Sequence, residues 1–527
     1  MVFSSLTFIC VFLPLVFLGS LALTRMKLKN ALLIAASLLF YAYGEPVYVL
    51  LMLLSSILNY AFGRALGSMR DNAAAQAGYD DNGGRSSGRA VSRTDAQGNG
   101  PGDGDPPTNR ASDPPTRRAS SPGRGRAVLV CAVIVNLGFL AVFKYAGMMV
   151  GTADTLFGLR LDIPVIALPI GISFYTFQAM SYVVDVYRGD TLASKSYAKV
   201  LLYISFFPQL IAGPIIKYHD VDAQLDSRRV TTQGVALGLR RFSVGLGKKV
   251  LIANTMGVVA DSLFGAPTAQ VNIAGAWLGA FAYVMQIYFD FSGYSDMAIG
   301  LARMFGFRYK ENFLYPYVSS SIKEFWHRWH ISLSTWFKEY LYIPLGGNRK
   351  GRARTGLNKV IVFFFCGLWH GASWTFVIWG LFHGAFLLLE EYLPIKKLPK
   401  AVGVVYALLV VTLGFVLFRS SSLDQAAYLI GQMFSGLHFD AASVRLVMQQ
   451  LTPLFLVVAV VAVVACMPVR HWLLAALQKR DLGQGTRWHT LRRTLTAGSF
   501  VASLVLLVLC MLTLSSGGYN PFIYFRF

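Results

Sequence analysis

The sequence predicts an all-α, polytopic membrane protein forming a single domain over residues 1–527, and three observations predict it. Hydrophobic residues fill 55% of the 527 positions and charged residues only 14%, a balance foreign to ordinary soluble proteins. Apolar runs of about 20 residues, enough to cross ~30 Å of hydrocarbon, recur along nearly the whole chain. Basic residues gather between the runs, in clusters at Arg228, Arg229, Arg240, Arg241, Lys248 and Lys249, at Arg349, Lys350, Arg352 and Arg354, and at Lys479, Arg480, Arg487, Arg492 and Arg493. Cytoplasmic loops held near anionic headgroups explain the net charge of +22 better than a nucleic-acid surface, so membrane lipid is the expected partner and nucleic acid is not.

The first run, Ser5 to Leu23, has no basic residue before it and Arg25, Lys27 and Lys29 just after it. It reads as an uncleaved first span with its N-terminus facing outward. Ala31 to Phe62 holds two spans split near Gly44-Glu45-Pro46. Further runs follow at Ala127–Val150, Val165–Val186, Lys199–Ile216, Ile273–Leu301, Val360–Leu389, Ala401–Leu417, Leu451–Val469 and Leu495–Leu514. The expected total is about eleven spans. Between Met69 and Arg126 the chain turns to Gly, Pro, Ser, Asp and Arg, and residues 70–125 are expected to be a disordered cytoplasmic insertion. The five cysteines all lie in apolar runs without metal-ligand spacing and read as core residues.

Chemistry should concentrate where polar residues interrupt apolar sequence, and the densest such place is Glu324 to Phe337. On one continuous helix, Trp326, Trp329, His330, Leu333, Trp336, Phe337 and Tyr340 share a face, while Arg328, Lys338 and Glu339 fall on the other. His330 then points inward and His327 lies near the edge of the charged face; an interfacial helix, or one at the mouth of a cavity, suits this mixture. A core histidine bonded to a carbonyl is the equal alternative for His330. Glu324-x-x-His327 has the spacing of a di-iron ligand pair, but Asp290, Asp296 and Glu390 bring no matching His, so no metal site is expected.

His370 stands in Gly367-Leu368-Trp369-His370-Gly371, inside a run from Ile361 to Leu389 without Lys, Arg, Asp or Glu. An ionisable group at membrane depth is by default a functional one. Eleven residues of helix after Lys359 place it ~16 Å from that charged end, about half the hydrocarbon thickness. A neutral imidazole there can take a proton from a hydroxyl as that hydroxyl attacks an acyl carbon. A structural role is the alternative. His383, in Phe382-His383-Gly384, has no comparable aromatic frame in sequence and reads as structural.

Trp326 to Tyr342 followed by Ile343-Pro344-Leu345-Gly346-Gly347-Asn348-Arg349, and then the run around His370, resemble the membrane-bound O-acyltransferase family. Leu168 to Gln178, Phe206 to Pro214 and Gln286 to Asp296 resemble its bacterial polysaccharide O-acetylase branch. The resemblance covers most of the chain apart from the insertion. It implies transmembrane, interfacial and re-entrant helices around a central tunnel in a bacterial inner membrane, with the N-terminus periplasmic. It further implies that acetyl-CoA, or an acyl-carrier thioester, donates an acetyl group from the cytoplasm toward hydroxyls of an exported polysaccharide, alginate-like or cellulose-like. No bound cofactor is implied, and a periplasmic acetyltransferase partner is expected to complete delivery. The resemblance makes His370 the catalytic residue and His330 the second polar residue of the site. Trp329, Trp369, Ser334, Asp290, Ser292, Tyr294 and Asp296 are the tunnel candidates; a buried hydrogen-bond network is the alternative for the last four. Two other classes stand beside this reading. A transporter or channel subunit would also hold ionisable groups at mid-membrane, but no internal repeat is found. A scaffold subunit would leave the two histidines unexplained.

Overall fold

The computed structural model describes residues 1–83, 122–158, 166–469, 472, 473, 475 and 486–523. Among them every regular element is a helix. In chain order these are α1 (Leu13–Ala22), α2 (Met26–Ala42), α3 (Tyr48–Gly83), α4 (Pro122–Leu140), α5 (Ala146–Phe157), α6 (Ile172–Arg188), α7 (Tyr197–Ser205), α8 (Phe207–Leu210), α9 (Tyr218–Asp226), α10 (Thr232–Gly247) and α11 (Asn254–Phe264). The second half adds α12 (Ile273–Met304), α13 (Ile322–Arg328), α14 (Ile331–Phe337), α15 (Gly351–His370), α16 (Trp374–Tyr392), α17 (Lys400–Arg419), α18 (Leu423–Ser435), α19 (Ala441–Gln450), α20 (Pro453–Ala465) and α21 (Thr486–Ser515).

The split near Gly44-Glu45-Pro46 falls between α2 and α3. The count of about eleven spans is not reproduced. By length and apolarity four of the described helical stretches can cross a membrane alone, Tyr48–Asn72, Gly123–Phe157, Lys400–Arg419 and Arg493–Ser515; the pair α19 and α20, bent by 65°, makes a fifth. Many of the remaining apolar runs are broken, or face protein instead of lipid and so carry Gly, Tyr, Ser and Asp. The insertion is shorter at its ends than its composition suggests. α3 continues to Gly83 and α4 opens at Pro122, helped by the strong helix formers of Ala73-Ala74-Ala75-Gln76-Ala77. Residues 84–121, and Lys479 and Arg480 of the third basic cluster, lie outside the described residues.

α12 is the axis of the fold, 32 residues long and buried over most of its length. Its approach to α10 is a glycine seam. A Cβ on Gly238 would meet the Gly300 carbonyl at 2.6 Å, and one on Gly293 the Gly245 carbonyl at 2.7 Å. Only glycine lets two backbones come this near, the kind of contact that holds helices together where lipid is as apolar as the side chains. Polar side chains add a second kind of join. Asn59 of α3 and Asn136 of α4 exchange reciprocal amide hydrogen bonds of 3.0 and 2.8 Å in a fully buried position.

Outside the spans, His219 at the start of α9 shares its Nδ1 with the buried Asp185 carboxylate at 2.9 Å, and Tyr340 donates to the other oxygen at 2.6 Å. The hydrogen bond to Asp185 raises the His219 pKa above its usual value, against a smaller opposing effect of burial. A raised folded-state pKa contributes stability in full below the unfolded value near 6.5, and that stability is lost as pH rises through the folded-state pKa. Thermal midpoints of the purified protein should therefore fall as pH rises above about 6.5 and through the folded-state pKa, and the His219→Gln variant should lose this slope. Parallel pH profiles for the two proteins would refute the linkage.

Candidate active site

The apolar run Val360–Leu389 does not form one span. It is a hairpin: α15 ends on His370, Gly371 is extended, and the Ser373 hydroxyl caps α16 by accepting from Thr375 N. His370 therefore sits at a helix terminus instead of mid-helix, in the elbow of the hairpin. The two arms touch backbone to backbone, since a Cβ on Gly367 would run into the Phe376 carbonyl and lie 3.3 Å from Gly380 Cα. Gly367→Ala should push α15 and α16 apart, costing about 1–3 kcal/mol as overpacking does and lowering acyl transfer. Melting and activity of the purified variant check this; a wild-type value of both would refute it.

The predicted continuous helix around His330 is also broken. α13 stops at Arg328, and α14 starts at Ile331. Between them His330 takes a left-handed backbone with φ 43°, rare for a residue other than glycine and typical of functional sites. Asn312 holds it there. The Asn312 carbonyl accepts from Ile331 N at 2.9 Å, and its side-chain oxygen accepts from the Ser332 hydroxyl and amide at 2.9 and 3.1 Å. The same oxygen lies 3.2 Å from His330 Nδ1, and Asn312 in turn donates to Ser295 of α12 at 2.8 Å.

Both imidazoles converge on Trp369. Its ring lies 4.9 Å from that of His370 and 5.9 Å from that of His330, centroid to centroid. The aromatic frame continues with Trp379 and Phe418 against His370, at 5.0 and 5.2 Å, and Phe291 edge-on to His330 at 4.6 Å. Neither ring nitrogen of His370, nor Nε2 of His330, has a hydrogen-bond partner among the described residues. Buried polar atoms are ordinarily paired, so these nitrogens are free for a substrate. Beside His370 and Trp369 is a cavity of about 90 Å³ walled by Lys144 and the loop Leu168–Phe174.

Lys144 and Tyr145 build the wall from α4's continuation. Lys144 Nζ donates to the Trp369 and His370 carbonyls at 2.6 and 3.2 Å and to Ser173 Oγ at 3.2 Å, while the Tyr145 hydroxyl donates to the Leu368 carbonyl at 2.6 Å. They satisfy the orphan carbonyls at the end of α15 and so fix the stem of His370. Sequence reasoning passed over Lys144, although it is the one charged residue between Ala127 and Val150; the criterion applied to His370 would have found it. Asn312 had no such signal, because a loop amide becomes significant only once the fold brings it to His330.

A second cavity, of about 290 Å³, opens farther back along α15. Lys323, His327, Lys338 and Lys359 line it, Ser334 is in its wall, and it reaches Cys366, one helical turn before His370. Trp329 is packed behind His330 against Phe325, Phe313 and Phe415 and borders neither cavity. The two carboxylates of α12 have partners elsewhere. Asp290 pairs with Lys249 and accepts from Ile523 N; Asp296 pairs with Arg241 and Lys248; Tyr294 stacks between Phe3 and Phe522 at 4.6 and 4.9 Å. Ser292 is buried near them. As placed, Asp290, Asp296 and Tyr294 brace helices and the C-terminal segment, the Ser292 hydroxyl is buried without a hydrogen-bond partner among the described residues, and none of the four lines either cavity. His383, in contrast to its bare sequence context, has an aromatic frame of Trp379 and Trp326 at 5.0 and 5.3 Å. Its ring faces α13 and Gly414 of α17, away from the cavity beside His370. Among the described residues no three His, Cys, Asp or Glu side chains gather as metal ligands.

A helical membrane fold with two buried histidines around one tryptophan fits the class, and the chain belongs to the membrane-bound O-acyltransferase family, whose model matches residues 176–394. It is an O-acyltransferase. Among its relatives, the "probable alginate O-acetylase" of Azotobacter vinelandii is 38% identical over the full length of both chains. That of Pseudomonas aeruginosa is 40% identical over 82% of this chain and 75% of its own. The peptidoglycan O-acetyltransferase of Helicobacter pylori is 31% identical over 81% of this chain and 78% of its own.

Proposed function

We propose that this enzyme moves an acetyl group from a cytoplasmic thioester, acetyl-CoA or an acyl-carrier protein, across the membrane toward hydroxyls of an exported polysaccharide. The observation that carries the reading is the meeting at Trp369 of His370, with both ring nitrogens unpartnered, and Nε2 of His330, with a small cavity beside His370 and a larger, lysine-lined one farther back along α15. Lys323, Lys338 and Lys359 suit the phosphates of a pantetheine-bearing donor, whose thioester would reach past Cys366. Arg25, Lys27 and Lys29 after the first span support a cytoplasmic location for that side and a periplasmic N-terminus in a bacterial inner membrane.

In the reaction, a nitrogen of His370 takes the proton of the acceptor hydroxyl as its oxygen attacks the thioester carbonyl. The carbon–sulfur bond then breaks, and the thiolate leaves with the proton returned by His370. His330, whose Nδ1–H turns to the Asn312 side-chain oxygen, presents Nε2 as an acceptor that would orient the attacking hydroxyl. Trp369 separates the two imidazoles and shapes the space between them. A periplasmic acetyltransferase partner would complete delivery to the bulk polymer. The names of the relatives, alginate and peptidoglycan O-acetylating proteins, support an acetyl group and a glycan acceptor. Purified protein given acetyl-CoA labelled in the acetyl group, or an acetylated carrier protein, should release or transfer label with time. Turnover of neither donor would overturn the donor assignment.

A further inference from the structure

A third cavity, of about 320 Å³, lies between α11, the bend from α19 to α20, and the segment after α21. It is on the N-terminal side of the membrane, because Asn520 in its wall donates to the Ser4 carbonyl at 2.9 Å. Its polar lining is amide and hydroxyl: Asn254, Gln449, Gln450, Thr452 and Asn520, with Tyr519 beside them. No Lys, Arg, Asp or Glu lines it among the described residues.

Three features make it a built site. Asn254 is 7% exposed; its Nδ2 donates to Asn520 at 3.2 Å, while its Oδ1 is buried without a partner. An orphaned buried acceptor at a cavity wall calls for a ligand donor. Tyr519 is fixed as a platform, its hydroxyl donating to Asp261, which also pairs with Arg419, and its ring lying over Gly257, where a Cβ would come within 3.0 Å. Gln449 and Gln450 stand at the rim, where a side-chain amide can both donate and accept. Paired donors and acceptors beside an aromatic ring match the vicinal hydroxyls and the C–H face of a pyranose.

We propose that this cavity is a binding subsite for an uncharged sugar residue of the polymer. The proposal rests on the outward orientation and glycan acceptor given above, and deepens them. The uncharged lining sets the selectivity: a uronate would bring a carboxylate to a wall without a cation, where its desolvation is not compensated.

Titration of the purified full-length protein with a β-1,4-glucan hexasaccharide and with an oligomannuronate of the same length tests this. Saturable binding of the glucan is expected, with the uronate at least about tenfold weaker. Gln449→Ala, at an exposed rim position, should weaken glucan binding about fivefold, the effect of one lost hydrogen bond of ~1 kcal/mol. Asn254→Ala should weaken it further in protein shown by melting to be folded. Equal binding of both oligosaccharides, no saturable binding, or unchanged affinity in Gln449→Ala would overturn the subsite. Labelled acetyl-CoA turnover by the unaltered protein is measured in parallel. Sugar binding without turnover would count against the acetyl-transfer reading and leave the subsite standing.

Discussion

His370→Ala should lose at least the ~10²–10⁴-fold that a positioned general base contributes, with the membrane protein still folded. The ring is framed by Trp369, Trp379 and Phe418, so removing it leaves a void and lowers stability, but the chain holds α15 by other means. Lys144 and Tyr145 bond the carbonyls of residues 368–370 and do not need the imidazole. His370→Gln keeps most of the volume and separates the loss of a base from the loss of packing. Because the proton moves only in the transition state, kcat should fall while the donor's KM stays near its original value. His330→Ala should cost less, since it removes an orienting contact and leaves the base in place. Single-turnover transfer from labelled thioester reads all three. Full activity in His370→Gln would refute the assignment of His370 as the base.

What the sequence made legible here was composition and local chemistry. The all-helical membrane fold, the break before α3, and the two histidines as the residues of interest follow from apolar runs interrupted by a few expensive groups. The breaks at Trp329-His330 and His370-Gly371 did not follow. Both run against the helical periodicity of their neighbours and are imposed from outside, by Asn312 from a distant loop and by Lys144 from α4's continuation. The span count is not confirmed by length and apolarity alone, since a helix buried in protein need not be apolar throughout. α12 carries Asp290, Ser292, Tyr294, Ser295 and Asp296 because other helices, and not lipid, cover them. Those residues attract notice in sequence for the same reason the histidines do. For Asp290 and Asp296 only the partners show that the cost of burial is offset by pairing instead of retained as free reactive groups.

Lys249→Met should be the most damaging change outside the proposed site. Lys249 and Asp290 are 4% and 2% exposed in their side chains and lie 2.8 Å apart; the contact is an ion pair without hydrogen-bond alignment at that oxygen. Lys249 also donates to the Pro521 carbonyl, and the other Asp290 oxygen accepts from Ile523 N at 2.9 Å. The pair therefore joins the helical turn before α11, the middle of α12 and the C-terminal segment. Attraction within a buried pair roughly balances the desolvation of its members, so the pair itself adds little net stability. Removing one member is different, because the other is left charged in a place without water. That costs about 3–5 kcal/mol, a large share of a typical folding free energy. Adding Asp290→Asn to Lys249→Met removes the stranded charge, and the amide oxygen can still accept from Ile523 N. The double variant should recover most of the loss, a coupling that independent sites would not show. Melting of the detergent-solubilised proteins distinguishes the outcomes. If the double variant melts no higher than Lys249→Met, the damage comes from lost packing or the lost Pro521 contact, and the stranded-charge account fails.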